Sequence, residues 1–187
     1  KPARERITDF KINWNIISWP GKAWAKRVFP DVSEQNAIKK LGDAIFHASR
    51  VLSDDPVAEW DIHNKNLREK TDWLNSMNFA SLHYNGPGTN LEIGLADDHE
   101  WMGGASESQN GIICNPNIPS EEVFTTPHAL KVNGKVCSTK PLSYQGTLIE
   151  DIQVEFKDGK IIDARSSKGE DVLLKVLDSD EGSRRLG

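Results

Sequence analysis

Two kinds of segment are missing from this 187-residue sequence, and each absence argues against a class of protein. No apolar run approaches the ~20 residues of a membrane-spanning helix, and the opening KPARERITDF lacks the apolar core of a signal peptide. No lysine and arginine run is longer than Arg184-Arg185, and 28 acidic side chains outnumber 23 basic ones. We therefore expect a soluble, cytoplasmic chain that binds neither nucleic acid nor a membrane.

Cysteine and the common catalytic signatures are also scarce or missing. Only Cys114 and Cys137 are present, without CxxC spacing or a nearby histidine pair, so a thiolate zinc site is not indicated. We interpret both as buried free thiols. The sequence contains no GxSxG, P-loop, HExxH or dinucleotide glycine pattern. Carboxylates and scattered histidines remain as candidates for chemistry.

Apolar spacing predicts two helices in the first part of the chain. Asp31 or Ser33 can cap a helix over about 34–52, where apolar residues recur every three or four positions. Asp55-Pro56 is typical of a second helix start, and its pattern continues to about Asn75. The chain up to residue 78 is therefore expected to be rich in helix.

Other segments alternate with a period of two, as strands do. KINWNIISWPG, residues 11–21, predicts a buried first strand, and several short strands are predicted from Phe79 onward. Asn133-Gly134 and Asp158-Gly159 are flanked by such runs and predict two hairpin turns. The pairing is expected to be mainly antiparallel.

The segment SSKGEDVLLKVLDSD returns to helical spacing and predicts a closing helix with Leu173 and Leu177 on its apolar face. The fold class expected is α+β, with two or three helices on a mainly antiparallel sheet. We expect one unit over 1–187, with a helix-rich part over 1–78 and a strand-rich part over 79–187.

Two adjacent glutamates, Glu121 and Glu122, lie in NIPSEEVFTTPH, between a proline-bearing loop and a predicted strand. Glutamate is a poor strand former, and a carboxylate on a sheet is costly unless it meets a cation, a metal or water. If EEVFTT is a strand, the two side chains point to opposite faces, so only one can face a given site. The pattern alone allows a metal ligand, a general base or a surface charge.

A few further residues are weaker candidates. His128 is close enough in sequence to join the same site, although a loop role is more common for such a histidine. DDHEWMGG, residues 97–104, clusters acids but lacks the spacing of a calcium loop, so we interpret it as a hairpin connection. Trp14, Trp19 and Trp24 are candidates to line a cleft.

Several motifs together resemble one known family. They are WAKRVFP, the DDP…W of Asp54 to Trp60, GTNLEIGL, NIPSEEVFTTPH, KPLSYQGTLI and DEGSRRLG. In order, and over nearly the whole chain, they resemble the metal-dependent aminopeptidases of the aminopeptidase T and aminopeptidase S (PepS-like) type. That family consists of bacterial cytoplasmic exopeptidases and includes thermophilic members. NIPSEEVFTTPH and DEGSRRLG are the specific motifs.

The resemblance implies a reaction and a site. In that family the EE motif supplies a ligand to a two-metal centre that removes the amino-terminal residue of a peptide. Carried over, it implies that Glu122 is a metal ligand and that Glu121 either orients it or acts as general base. The implied cofactors are two divalent ions, zinc, cobalt or manganese, and the implied partner is a peptide substrate.

The sequence departs from the family pattern at its end. Gly187 follows DEGSRRLG directly, where the family has a further glutamate ligand, and two histidines and an aspartate come later. We therefore expect the middle part of a larger two-domain aminopeptidase, inactive alone because most ligands lie beyond residue 187. Such a piece would expose apolar surface, so a homodimer is expected. The competing hypothesis is a non-catalytic module that binds a peptide or mediates assembly.

Overall fold

The structure, a computed structural model, describes residues 2–186 and has the α+β architecture that the sequence predicts. Within this range the helices are α1 (Pro2–Thr8), α2 (Lys22–Val28), α3 (Glu34–Ala48), α4 (Pro56–Met77) and α5 (Glu170–Leu177). The short helices α1 and α2 were not predicted. None of the helices in residues 2–186 is long and apolar enough to cross a bilayer.

The strands are short except in one sheet, and nearly all pair antiparallel. They are β1 (Ile16–Ile17), β2 (Ser81–Gly86), β3 (Thr89–Leu95), β4 (Met102–Gly103), β5 (Ser106–Glu107), β6 (Ile113–Cys114), β7 (Asn117–Ile118), β8 (Val123–Phe124), β9 (Pro127–Cys137), β10 (Leu142–Tyr144), β11 (Thr147–Ile149), β12 (Gln153–Lys157) and β13 (Lys160–Arg165). The chain divides into two compact units, one of residues 1–73 and 101–124, the other of residues 74–100 and 125–187.

The first unit has its core between α2 and α3, where Ala25 and Ala37 are fully buried. Of the two predicted caps, Ser33 is the one used: its Oγ accepts a hydrogen bond from the Asn36 N–H at 3.4 Å. Helix α3 ends at Ala48, earlier than predicted, because Arg50 adopts a left-handed backbone with φ of 60°.

Helix α4 begins as predicted. The Asp55 carboxylate accepts a hydrogen bond from the Ala58 N–H at 3.0 Å, and Pro56 occupies the first helical position. The helix continues two residues past the predicted Asn75, to Met77, and Asn78 then takes a left-handed φ of 45°.

The predicted buried strand over residues 11–21 is wrong. Only Ile16 and Ile17 of this segment form a strand, which pairs parallel with β7. Their side chains are 60% and 62% exposed. A two-residue ladder has no further sheet to cover its faces, so alternation in this segment does not lead to burial.

The second unit is built on a five-stranded antiparallel sheet in the order β13-β12-β9-β3-β2. Val132 and Ile149 are fully buried in its core, and helix α5 packs there through Leu173 and Leu177. The predicted closing helix is therefore confirmed.

The two predicted hairpin turns have different outcomes. Asp158 and Gly159 connect β12 to β13 with φ of 49° and 77°, so that turn is confirmed. Asn133 and Gly134 instead lie inside β9, and the turn predicted there is wrong. Gly134 is required because a Cβ would lie 2.1 Å from the Asn90 carbonyl oxygen. Asn133 accepts a hydrogen bond from the Asp158 N–H at 2.8 Å, so it supports the other turn.

Gly134→Ala tests this close approach of two strands. The added methyl group would meet backbone that cannot move aside, and φ at this residue is 115°. We expect the free energy of unfolding to fall by more than ~2 kcal/mol, seen as a lower thermal midpoint. The matched control is Gly86→Ala, since nothing lies within 4 Å of its added Cβ. Equal midpoints for the two variants would contradict the prediction.

Candidate functional site

The loop that carries the two glutamates lies in the first unit and leads into β8. Neither Glu121 nor Glu122 is in a strand, since β8 begins at Val123 and pairs with β4 through the Gly103 and Val123 register. A Cβ on Gly103 would lie 2.7 Å from the Glu122 carbonyl oxygen. The backbone of Glu122 therefore packs directly against Gly103. Any larger residue at position 103 would displace the Glu122 backbone.

Glu121 is bound by Arg50 in a two-pronged ion pair. Its Oε1 lies 2.5 Å from Arg50 Nη1 and its Oε2 lies 3.0 Å from Nη2. This fork geometry is the strongest arrangement that arginine and a carboxylate form. The guanidinium also lies over the Trp60 ring, 5.6 Å from its centroid, which is a cation–π distance. Arg50 thus connects the glutamate loop to α4.

His63 holds the residue before the pair. Its Nε2 lies 2.6 Å from the Ser120 carbonyl oxygen, and because a carbonyl only accepts, Nε2 carries the proton and donates it. The ring packs edge-on against Trp60, whose Nε1 donates to the Ser49 carbonyl at 2.9 Å. The same Nε2 is 3.7 Å from Glu121 Oε2. We call Arg50, Trp60, His63 and Glu121 the loop clamp.

The loop clamp sets the charge of Glu121. The hydrogen bond from Arg50 lowers the pKa of the Glu121 carboxyl group. Burial opposes this shift, and the positive charge of the same guanidinium adds to it. The pair also raises the pKa of Arg50. Glu121 is therefore a carboxylate at neutral pH and, with its lone pairs engaged by Arg50, is poorly suited to accept a proton.

Glu122 has a different environment. It is exposed, no ion pair is found for it within residues 2–186, and it lines a cavity of about 500 Å³ in the first unit. Four apolar side chains and a second carboxylate also line this space: Phe10, Trp14, Met102, Phe124 and Glu107. We call it the Glu122 cavity. The indole N–H of Trp14 is buried and has no hydrogen-bond partner among the described residues.

The donors present do not by themselves form a metal centre. Within residues 2–186, no group of three or more histidine, cysteine, aspartate or glutamate side chains is placed to hold a metal ion. Glu122 can supply one carboxylate, whereas divalent metals in proteins take four or more ligands. Any metal held at Glu122 therefore needs donors in addition to those described.

The weaker candidates from the sequence have ordinary contacts. His128 lies in β9 of the second unit, where its Nδ1 accepts a hydrogen bond from the Leu130 N–H at 3.1 Å. In the acidic loop, Asp97 is 3.5 Å from the Lys131 ammonium, and His99 Nδ1 donates to the Ala96 carbonyl at 3.0 Å.

The tryptophans and cysteines also differ in part from expectation. Trp14 lines the Glu122 cavity, but Trp19 and Trp24 are 70% and 45% exposed and are not among its lining residues. Cys114 and Cys137 are free, as predicted, yet both are only partly buried.

Two residues of the loop clamp escaped sequence reasoning. Arg50 is 71 residues from Glu121, and no local pattern connects them. His63 gives no functional signal in the sequence beyond its position one helical turn after Trp60 on α4.

Comparison with known proteins identifies the family. The family described as thermophilic metalloprotease (M29) matches residues 1–187 of the chain. The chain belongs to the M29 family. The resemblance inferred from the sequence motifs is confirmed.

Several aminopeptidases are similar in sequence to this M29 chain. It is 48% identical over 187 residues to aminopeptidase T of Thermus thermophilus, covering 100% of this chain and 46% of that protein. It is 47% identical over 174 residues to aminopeptidase 2 of Geobacillus stearothermophilus, covering 93% of this chain and 42% of that protein. A solved structure of wild-type AmpT from Thermus thermophilus matches with a TM-score of 0.93 at 47% identity, covering 100% of this chain and 45% of that one. The chain thus spans about half the length of these relatives.

A double-mutant cycle on Arg50→Met and Glu121→Gln tests the loop clamp. Arg50 and Glu121 are 26% and 61% exposed, so we expect a coupling free energy of only about 0.5–1 kcal/mol near neutral pH. Because the folded-state pKa of Glu121 is lowered, this stability is complete above the ordinary glutamate pKa of about 4.3 and is lost as pH falls through the lowered value. Urea unfolding of the four proteins at neutral and acidic pH measures both effects.

Glu122→Gln is the control in that cycle for the loss of one negative charge from the glutamate loop. It removes no ion pair found within residues 2–186. Its stability should differ little from that of the parent chain at neutral pH. A coupling of zero at neutral pH would show that Arg50 and Glu121 do not stabilise the fold together. A coupling that does not decrease on acidification would show that it does not depend on the charge of Glu121.

Proposed function

We propose that this M29 chain is part of a metal-dependent aminopeptidase, which hydrolyses the amino-terminal residue from peptides, and that Glu122 is one of its metal ligands. The observation that carries the proposal is the contrast within the glutamate pair. The negative charge of Glu121 is balanced by Arg50 in an ion pair. Glu122 has no ion pair within residues 2–186 and lines a cavity. An exposed carboxylate on a loop held by neighbouring contacts suits a ligand.

The proposed centre holds two divalent ions, zinc, cobalt or manganese, which in such enzymes lower the pKa of bound water and polarise the scissile carbonyl. In this chain Glu122 supplies an oxygen donor. The other ligands in the proposal lie beyond residue 187, since residues 2–186 do not gather three donors at one place. We therefore propose that the 187-residue chain alone is inactive.

For Glu121 we propose a positioning role rather than that of general base. Its two oxygens are both within 3.0 Å of Arg50 nitrogens, and its pKa is lowered. A general base near neutral pH is most effective with a pKa close to the working pH, so this shift is in the wrong direction. The contact with Arg50 instead keeps the loop in place, and with it the backbone of Glu122.

The assembly and setting of the protein belong to the same proposal. We propose that residues 1–187 form one aminopeptidase-family segment, the middle part of a larger two-domain protein that acts on peptides in the cytoplasm as a homodimer. The exposed apolar side chains of Ile16, Ile17 and Trp19 support association, because surface of this kind is costly in water.

A second candidate is a non-catalytic module that binds a peptide or mediates assembly. It is favoured by the lack of any three-donor group within residues 2–186. In this alternative Glu122 is an ordinary surface charge, and its replacement changes no activity.

The decisive experiment combines intact mass with an activity assay. Release of an amino acid from a short peptide is measured with added zinc, cobalt or manganese, for the 20.9 kDa chain and for the product of the complete reading frame. We expect no metal-dependent turnover from the 20.9 kDa chain. We expect a larger product to be active, Glu122→Ala to abolish its activity and Glu121→Ala only to weaken it.

Other outcomes separate the two candidates. A larger product that is inactive with every metal favours the non-catalytic module. Activity from the 20.9 kDa chain itself would overturn the proposed ligand set, and chemistry would then be sought among Asp97, Asp98, His99 and His128. Lys65→Ala is a control variant on α4 outside the loop clamp, because within residues 2–186 the ion pair found for Lys65 is a 3.9 Å contact with Glu69.

A further inference from the structure

The walls of the Glu122 cavity have more apolar surface than metal binding needs. Phe10 and Trp14 are packed edge to face, with ring centroids 6.1 Å apart. Met102 and Phe124 are directly opposed in the β4–β8 ladder, so their side chains lie on the same face. Both remain about half exposed, at 51% and 47%. Large apolar side chains left open around one cavity indicate a ligand with an apolar group.

The aromatic wall is held in place by its neighbours. The Gln109 N–H donates to the Phe10 carbonyl at 2.9 Å. Beyond Trp14, the Asn15 amide donates to the Asn115 carbonyl at 2.6 Å, and the Ile16 N–H donates to the Pro116 carbonyl at 2.8 Å. The segment that carries Phe10 and Trp14 is thus tied down on both sides. A preformed wall of this kind reduces the ordering cost of binding.

The polar groups of the cavity indicate the charge of the ligand. Among the residues that the structure describes, Glu107 and Glu122 line it and no lysine or arginine does. Two carboxylates beside aromatic walls suit a molecule that joins a cation to an apolar group. A peptide with a free α-ammonium and a large apolar first side chain has this chemistry. The cavity, at about 500 Å³, is within the range of ~300–1,000 Å³ found for ligand sites.

We propose that the Glu122 cavity binds the amino-terminal side chain of the substrate and selects for large apolar side chains, aromatic ones above all. Phe10, Trp14, Met102 and Phe124 contact that side chain. The carboxylate of Glu107 attracts its α-ammonium, and Glu122 joins it when no metal is bound. This assignment rests on the proposed aminopeptidase function, because it supplies that function with a class of substrate.

Binding can be tested on the 187-residue chain without metal or turnover. The indole N–H signals are recorded by two-dimensional ¹H–¹⁵N NMR, and the signal of Trp14 is assigned by its loss in Trp14→Phe. The chain is then titrated with L-phenylalaninamide or glycinamide, which share a free amine and differ in side chain. We expect saturable movement of the Trp14 signal with phenylalaninamide and at least tenfold weaker binding of glycinamide.

Variants locate the site. Met102→Ala and Phe124→Ala each should weaken phenylalaninamide binding several-fold. Ile113→Ala is the matched control, since Ile113 is 65% exposed in the same unit and is not among the residues lining the cavity. Equal binding of both amides, no movement of the Trp14 signal, or tighter binding of argininamide than of phenylalaninamide would each overturn the proposed selection.

The two proposals fail in different ways. If phenylalaninamide binds but the complete reading frame yields no aminopeptidase, the proposed function fails while the apolar site stands. If the enzyme is active but phenylalaninamide does not move the Trp14 signal, the inference about the cavity fails alone.

Discussion

The candidate site depends on the contact between Arg50 and Glu121. The loop around Glu121 has no strand ladder of its own, because β8 begins only at Val123. Backbone pairing therefore cannot fix it, and side chains must. Arg50 does so with its two terminal guanidinium nitrogens, Nη1 and Nη2. It has a left-handed backbone just after the end of α3, and its guanidinium lies over the Trp60 ring. Once Glu121 is held, the position of the next residue is largely determined.

This contact gives two identical neighbours different chemistry. The charge of Glu121 is balanced by Arg50, whose guanidinium also contacts the Trp60 ring on α4. The charge of Glu122 is not balanced by any ion pair within residues 2–186 and is presented to a cavity with Glu107. A cation that approaches the cavity therefore meets carboxylates that no protein cation already neutralises. In the proposed site, the glutamate pair thus combines an anchor, Glu121, with a binding group, Glu122.

Features that depend on local sequence were predicted well, and features that depend on distant partners were not. Helices α3, α4 and α5 follow from apolar periodicity, because one face of each must be buried whatever lies opposite. Asn133-Gly134 has the same local preference for a left-handed backbone as Asp158-Gly159. Gly134 nevertheless lies within β9, where the Asn90 carbonyl oxygen leaves no room for a Cβ. Glu121 and Glu122 stood out in the sequence as unusual carboxylates, whereas Arg50, far away in the chain, gave no signal.

The geometry of the loop and its proposed affinity for metal are separable properties. The geometry is complete within the first unit, since Arg50, Trp60 and His63 all belong to the unit that contains Glu122. Metal affinity is not, because residues 2–186 gather no group of three donors. A ligand that is already oriented loses less entropy when the remaining donors bind the same ion. In the proposed enzyme the loop clamp therefore contributes to metal binding before any metal is present, by folding Glu122 into place.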